Sequence, residues 1–436
     1  MSRATRDGRL ARSARLSLSG IELFPNAVWG RFKAKFVGGL ARRRPSPPTD
    51  LSQRRSFPPE IVIMIVDYLK YNTPTLKACA ATCSTWYRIA APHIHRTLLL
   101  REWPSTRSVA LPVPNRLPFL REFGLLPFVE RLLFGGEFAR GPARGWIGPA
   151  VFNSWGTPQD FRAMVNLQEL DIWDLDFSEF PEGLGSYLGH FAPTLRSVAL
   201  SWPKGTRRQL LDFFMLFPKL ENIGISRYPE GVRYEPLDNK PIVPISGVLR
   251  GTLTLKEFGD VELLKDMAVA FGGMGFTCMD LKNTPRAMRF VLDACADTLE
   301  TLCIYPPIKP YDASSPTAHD FNLSSSTALR SIEVSVDSLA RLEHLFSTIT
   351  SPVFSELVVI FPLFPAVETQ RTMWAESLVG WVRGLYEVRA CSVVFCYDGP
   401  ETSAHAREMR LMTRRGAEAG LYDFLPRPPS VVYRPF

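Results

Sequence analysis

Two cysteines and two histidines raise the question of chemistry first. Cys79 and Cys83 precede His93 and His95, and sulfur and nitrogen ligands of this kind can gather zinc. The Cys-x3-Cys spacing places both thiols on one helical face, whereas zinc sites favour shorter spacings carried on turns. Cysteines buried in helix packing fit that spacing better. Cys278, Cys295 and Cys303 have no histidine nearby in sequence, and nothing singles one of them out as a nucleophile. The run Phe271-Gly272-Gly273-Met274-Gly275 lacks the Gly-Lys-Ser/Thr that would hold phosphates, so it reads as a loop. No Gly-x-Ser-x-Gly elbow and no His-Glu-x-x-His helix is present. Asp171, Asp174 and Asp176 surround a strand end and read as a solvated rim, with a cation or a basic peptide as the alternative attraction. No catalytic residue, metal site or cofactor is expected. A thiol-dependent hydrolase or transferase is the enzymatic alternative.

Composition narrows the class. Apolar content of 46% against 22% charged residues describes a folded chain, and 436 residues leave room for two or three domains. No apolar run is long enough to span a bilayer, so no membrane role is expected. Seven cysteines, scattered singly without a Cys-x-x-Cys pair, favour reduced thiols in the cytoplasm or nucleus. Net charge is +8, but residues 1–56 hold thirteen Lys or Arg against Asp7, Glu22 and Asp50, a balance of +10 that leaves the rest at −2. The body therefore has no basic surplus with which to bind nucleic acid. Arginines at positions 3, 6, 9, 12 and 15 and the run Arg42-Arg43-Arg44 read as a solvated, disordered leader over 1–56, with a transit peptide or a nuclear-import patch as alternatives.

The elements that must position any functional residue begin at Phe57. Pro58 and Pro59 suit a first helical turn, and Glu60 complements the helix N-terminus. Ile61, Met64, Ile65 and Tyr68 recur at helical spacing on one face, while Val62, Val66 and Leu69 form a second. A helix apolar on two sides needs cover on both, and a module this short supplies only one. Asn72, Thr73 and Pro74 break this helix, with Thr73 as cap of a second helix carrying Leu76, Cys79, Ala80 and Cys83. Ser84 caps a third helix holding Trp86, Ile89 and Ala90, which Pro92 kinks or ends.

Phe57-Pro58-Pro59-Glu60-Ile61, the continuing Ile65 and Leu69, then Leu76 and Cys83-Ser84-Thr85-Trp86, resemble an F-box, with Phe57 in place of the usual leucine. The resemblance covers residues 57–100. It implies docking onto the Skp-type linker of an SCF-type cullin–RING ubiquitin ligase through Phe57, Pro58, Pro59, Ile61, Ile65, Leu69, Leu76, Cys83 and Trp86. The remaining chain would capture a protein substrate.

After Leu100 a unit of the form leucine-x-x-apolar-x-apolar recurs. It runs Val129/Leu132/Phe134, Leu167/Leu170/Ile172, Leu195/Val198/Leu200, Leu220/Ile223/Ile225 and an imperfect Leu255/Phe258. It continues as Phe276/Met279/Leu281, Leu299/Leu302/Ile304, Leu329/Ile332/Val334 and Phe354/Leu357/Val359. The last two positions alternate as a short half-buried strand requires, and amphipathic segments such as Leu210–Phe217, Ala287–Cys295 and Leu339–Phe346 precede several units. Helix–strand units of this size bury their apolar faces by stacking. The expected fold is therefore mixed α/β: a short all-α module, then an irregular solenoid of parallel strands and outer helices over 101–365. This region resembles the leucine-rich-repeat-like part that follows the F-box in many fungal proteins. Residues 366–436 read as a cap and tail, with a helix at Met373–Leu385, a last strand at Val388–Tyr397, a polar helix at Glu401–Glu418 and a Pro-rich end. Trp173, Phe177, Trp202 and Tyr228 fall at or beyond strand ends, where loop packing is the preferred role and anchoring of a bound protein the alternative. The function expected is an adaptor; a protein-interaction scaffold with no ligase link is the competing reading.

Overall fold

Proline and asparagine punctuate the first forty residues of the folded chain into three helices. In the computed structural model, which describes residues 57–102, 117–136, 157–180, 185–228, 244, 247–305, 322–335, 347–361, 392–398, 414 and 430–434, these are α1 (Pro59–Leu69), α2 (Thr73–Ala80) and α3 (Ser84–Ile94). The leader over 1–56, the segments 339–346 and 373–385, and nearly all of 401–418 lie outside the described residues. The cap of α2 is Asn72, not Thr73: the Asn72 side chain accepts from the Thr75 N–H at 3.1 Å, and an amide oxygen reaches that donor as well as a hydroxyl does. Cys83, not Ser84, precedes α3 in an extended conformation. Pro92 does not end α3, which runs on to Ile94. The bond it forfeits would go to the carbonyl of Arg88, an exposed residue on the watered side of the helix.

The chain then builds one sheet whose strands lie in sequence order, each parallel to the next. These are β1 (Thr97–Glu102), β2 (Arg131–Gly136), β3 (Glu169–Trp173), β4 (Ser197–Ser201), β5 (Asn222–Ser226) and β6 (Leu249–Lys256). They continue as β7 (Met274–Lys282), β8 (Thr301–Tyr305), β9 (Ser331–Ser335), β10 (Glu356–Phe361), β11 (Ser392–Asp398) and β12 (Ser430–Arg434). Parallel neighbours need a crossover, and the described ones carry α4 (Leu117–Glu122), α5 (Pro158–Arg162), α6 (Gly185–Leu188), α7 (Arg207–Met215), α8 (Val261–Ala270) and α9 (Pro285–Ala294). Two strands differ from expectation. The sheet opens at Thr97, inside the stretch expected to be helical, because Leu98 and Leu100 are buried and pair with Leu132 and Phe134 of β2. It also extends past Tyr397 into the Pro-rich end: Val431, Val432 and Tyr433 favour strand, and Pro429 and Pro435 stand outside the paired residues.

Register explains the core. Leu170, Val198, Ile223, Leu253, Met279, Leu302, Ile332 and Leu357 follow one another across the sheet, and all are buried. Each fully buried side chain of this kind is worth roughly 1.5–3 kcal/mol. The unit read as Leu255/Phe258 is corrected: its strand residues are Leu253 and Leu255, which pair with Met279 and Leu281. A register shift between Gly251 and Thr252 hid it, placing a glycine opposite Phe276 where an apolar residue was sought. Gly251 has φ +93°, and a Cβ there would come 2.2 Å from the Glu221 carbonyl oxygen.

Backbone turns repeat as strictly as the side chains. Asp174, Trp202, Arg227, Glu257 and Asn283 each follow a strand with φ between 51° and 58°. Their N–H groups donate to the carbonyls of Ser201, Ser226, Lys256, Lys282 and Tyr305 at 2.6–2.9 Å. At the other end of the strands single carbonyls take two donors from the next unit: Arg96 from Glu130 and Arg131, Gln168 from Arg196 and Ser197, Glu300 from Arg330 and Ser331. A left-handed conformation is costly for a tryptophan or a glutamate; five in register show that the crossover geometry imposes it.

Candidate functional site

Two surfaces could meet a partner. The first is α1. Its turn geometry sends Val62 and Val66 into a small cluster with Leu76, Ala80 and Ala90, against which Leu69, Trp86 and Ile89 pack half-buried. Phe57 (63% exposed), Ile61 (41%), Met64 (67%) and Tyr68 (88%) remain in water, joined by Ile63 and Tyr71. Contiguous exposed apolar side chains on one helix mark an interaction surface. Among the residues expected to meet a linker, Phe57, Pro58, Pro59, Ile61 and Cys83 are exposed, and Ile65, Leu69 and Trp86 half-buried. Leu76 is fully buried and packs beneath α1 with Val62 and Val66. Cys83 sits in the open, and the Trp86 backbone N–H holds its thiol below the usual range.

Helix α3 ties this module to the sheet. Ala90 belongs to the small cluster and Ala91 to the main core, and Tyr87 packs against both. His95 follows, buried against Phe119 with ring centres 5.8 Å apart. His93 instead faces Asp67 of α1 at 3.6 Å, so the two histidines serve different neighbours. Among the described residues no group of three or more His, Cys, Asp or Glu is arranged to hold a metal ion.

The second surface is the face of the sheet opposite the core, where the strands present alternate residues. Trp173 and Trp202 lie there half-buried; Trp173 donates its indole N–H to Asp171 at 2.8 Å, and Arg227 stacks 5.0 Å from the Trp202 ring centre. Phe177 and Tyr228 do not reach this surface. Phe177 is buried edge-on against Phe213 at 5.5 Å, and Tyr228 against Phe258 at 5.7 Å, so both serve loop packing. The acidic trio is no solvated rim. Asp176 is buried, accepts from the Ser178 N–H and pairs with Lys204; burial raises its carboxyl, but these hydrogen bonds from Lys204 and Ser178 outweigh that and hold it below the usual carboxylate range. Burial raises Asp171, which stands beside Arg131 at 3.8 Å.

One feature of this face escaped sequence reading. Register lines up Trp173, Ser201, Ser226, Lys256, Lys282 and Tyr305 as direct neighbours on six strands. Only a strand alignment reveals it, because the six residues span more than 130 positions of chain. Burial, then the positive charges of Arg227 and Lys282, press the Lys256 ammonium below its ordinary value.

Comparison with known proteins speaks to the first surface. A family model described as F-box-like matches residues 55–101, the segment that carries α1, α2 and α3. No curated protein matches the chain.

Proposed function

We propose that this chain is the substrate-recognition adaptor of an SCF-type cullin–RING ubiquitin ligase. An F-box-like segment suggests such a role in general terms, since F-box domains bind Skp-type linkers. The observation that carries the reading is the division of α1: Val62 and Val66 inside, Ile61, Met64 and Tyr68 outside. The strands beyond it, with their repeating turns, are read as an irregular leucine-rich-repeat-like solenoid of the kind found after the F-box in many fungal proteins. On this reading the outward sheet face holds a protein substrate near the activated ubiquitin thioester. Its contribution to rate is proximity, which converts a bimolecular encounter into an effectively unimolecular one, and it needs no catalytic residue of its own. The place of action is the cytoplasm or nucleus. Among the described residues no helix is long and apolar enough to cross a membrane.

The test is co-purification. Ile61→Asp with Met64→Asp alters two exposed positions, so the fold is expected to melt as the wild type does while the Skp-type linker no longer co-purifies. Undiminished linker binding by the double variant would refute the assigned surface. A wild-type chain that captures no linker at all would favour the scaffold reading.

A further inference from the structure

Lysine and arginine both carry positive charge at neutral pH, but only lysine can take up an acyl group from a thioester. A lysine Nζ that has lost its proton attacks the thioester carbonyl. The new C–N bond is an isopeptide, the C–S bond breaks, and the sulfur leaves as a thiol with a proton given up by the nitrogen. Arginine stays protonated and offers no such lone pair. The sequence holds 40 Arg and 11 Lys, and no lysine stands between Lys77 and Lys204 or beyond Lys309.

A guanidinium is required at few places. Arg121 grips Asp160 with two nitrogens and Arg227 stacks on Trp202, tasks that a point-like ammonium performs poorly. Elsewhere either cation would serve. Arg88, Arg162, Arg250 and Arg286 are exposed, and their side chains make no ion pair, hydrogen bond or ring contact among the described residues. Arg196 and Arg330, also exposed, meet Glu221 and Glu300 in single contacts that a lysine makes as well. The exposed lysines show the opposite pattern. Lys204 pairs with Asp176, Lys265 pairs with Glu262, Lys219 donates to the Pro193 carbonyl at 3.1 Å, and Lys70 lies 5.3 Å from the Tyr71 ring centre. Among the described residues, every exposed cation without a partner is an arginine.

We propose that this distribution shields the chain from the conjugation it directs: the adaptor resists its own ubiquitin transfer because the free charges on its surface are guanidinium groups. The proposal rests on the adaptor reading above and names a regulation of it. Proximity to an activated thioester favours any amine within reach, so free lysines on an adaptor compete with those of its client. Arginine keeps the charge and removes the competitor. The lysines that remain must first leave a partner.

Self-conjugation in a reconstituted assembly tests it. The full chain is combined with a Skp-type linker, a cullin–RING pair, ubiquitin-activating and ubiquitin-conjugating enzymes, ubiquitin and ATP, with no client. Wild type is compared with Arg162→Lys/Arg196→Lys/Arg330→Lys, which puts amines into both lysine-free stretches and leaves the net charge unchanged. The two proteins should melt alike, since none of the three arginines is buried. Wild type is expected to gain ubiquitin slowly and the triple variant about fivefold faster or more, with the added ubiquitin mapped by peptide mass spectrometry to positions 162, 196 or 330. Discharge of the thioester onto free lysine, equal in both assemblies, shows that the enzymes are active. Equal self-conjugation would overturn the proposal in either form: if both are fast, arginine gives no protection, and if both are slow, distance protects instead of residue type. Linker capture is read on the same samples. An empty pull-down removes the adaptor reading and this proposal with it, whereas equal rates on captured chain remove this proposal alone.

Discussion

The helical module and the sheet leave very different surfaces in water. On α1 the outward residues are Ile61, Met64 and Tyr68, as apolar as the Val62 and Val66 beneath them. On β4 to β7 the outward residues are Ala199, Ser201, Gly224, Ser226, Thr254, Lys256 and Lys282, while Leu200, Ile225, Leu255 and Leu281 are buried. The first surface gains from any apolar cover and suits a permanent partner subunit; obligate interfaces are the more apolar kind. The second offers hydroxyls and charges whose value depends on the geometry of the partner, and it suits selective, reversible capture. The sheet is also self-sufficient where the module is not. Its main core runs from Ala91 to Val359, whereas five buried residues form the cluster under α1.

That contrast predicts where stability resides. Phe214 on α7 is fully buried in the main core, edge-on to Phe213, and Phe214→Ala should cost about 3–5 kcal/mol of unfolding free energy in denaturant titrations. Ile61→Asp should stay within about 0.5 kcal/mol, as exposed substitutions do. Equal losses from the two would erase the distinction between a closed body and an open module. Next in size is Gly251→Ala. Its φ of +93° and the 2.2 Å approach to the Glu221 carbonyl oxygen force the β5–β6 pairing to shift, at a cost of about 2–4 kcal/mol. Gly124→Ala, also at positive φ but with nothing within 4 Å, should cost about 1 kcal/mol.

A smaller effect separates the sheet's buried charges from its open ones. Asp160 is buried at the start of α5; burial raises its carboxyl, yet the Arg121 guanidinium and the Thr157 N–H outweigh that and hold it below the ordinary value of 3.8. A depressed folded value means the contribution is complete above the unfolded range and fades as pH falls through the folded one. Wild type should therefore lose stability below about pH 4 more steeply than Asp160→Asn. The difference should be about 1 kcal/mol, since Arg121 is half in water and its charge is screened. Parallel acid limbs for the two proteins would remove Asp160 from the buried-charge account.

Much of this was readable from residue order alone. The two faces of α1 follow from i, i+3, i+4 spacing, and eight of nine recurring units place their strand residues where the register has them, because burial on one face forces alternation. The exceptions have local causes. Gly251 interrupts the unit at β6 with a register shift no spacing rule anticipates. Only His95 and Arg96 separate α3 from the strand that carries Leu98 and Leu100, and no glycine or proline stands between them to mark the change from helix to strand. The Lys256–Lys282 pair was invisible for a different reason. It depends on which positions face each other across a crossover, a quantity fixed by the fold and not by the neighbours of either lysine.

The thiols offer the finest comparison of the two regions. Cys83 lies exposed at the start of α3, where the Trp86 backbone N–H lowers its pKa; Cys295, at the end of α9, is buried, and burial pushes its thiol up to about 11. Thiolate is the reacting form. Lowering the pKa enlarges the thiolate fraction at neutral pH, and raising it to about 11 leaves about one part in ten thousand. Iodoacetamide at pH 7.5 should therefore modify Cys83 while leaving Cys295 intact, as followed by peptide mass spectrometry. Bound linker should slow the Cys83 reaction, because Cys83 lies in the F-box-like segment and Cys295 lies outside it. Unchanged modification of Cys83 in the linker complex would remove this residue from the docking surface while leaving Ile61 and Met64 in it. The linker would then sit on α1 alone, clear of the turn between α2 and α3.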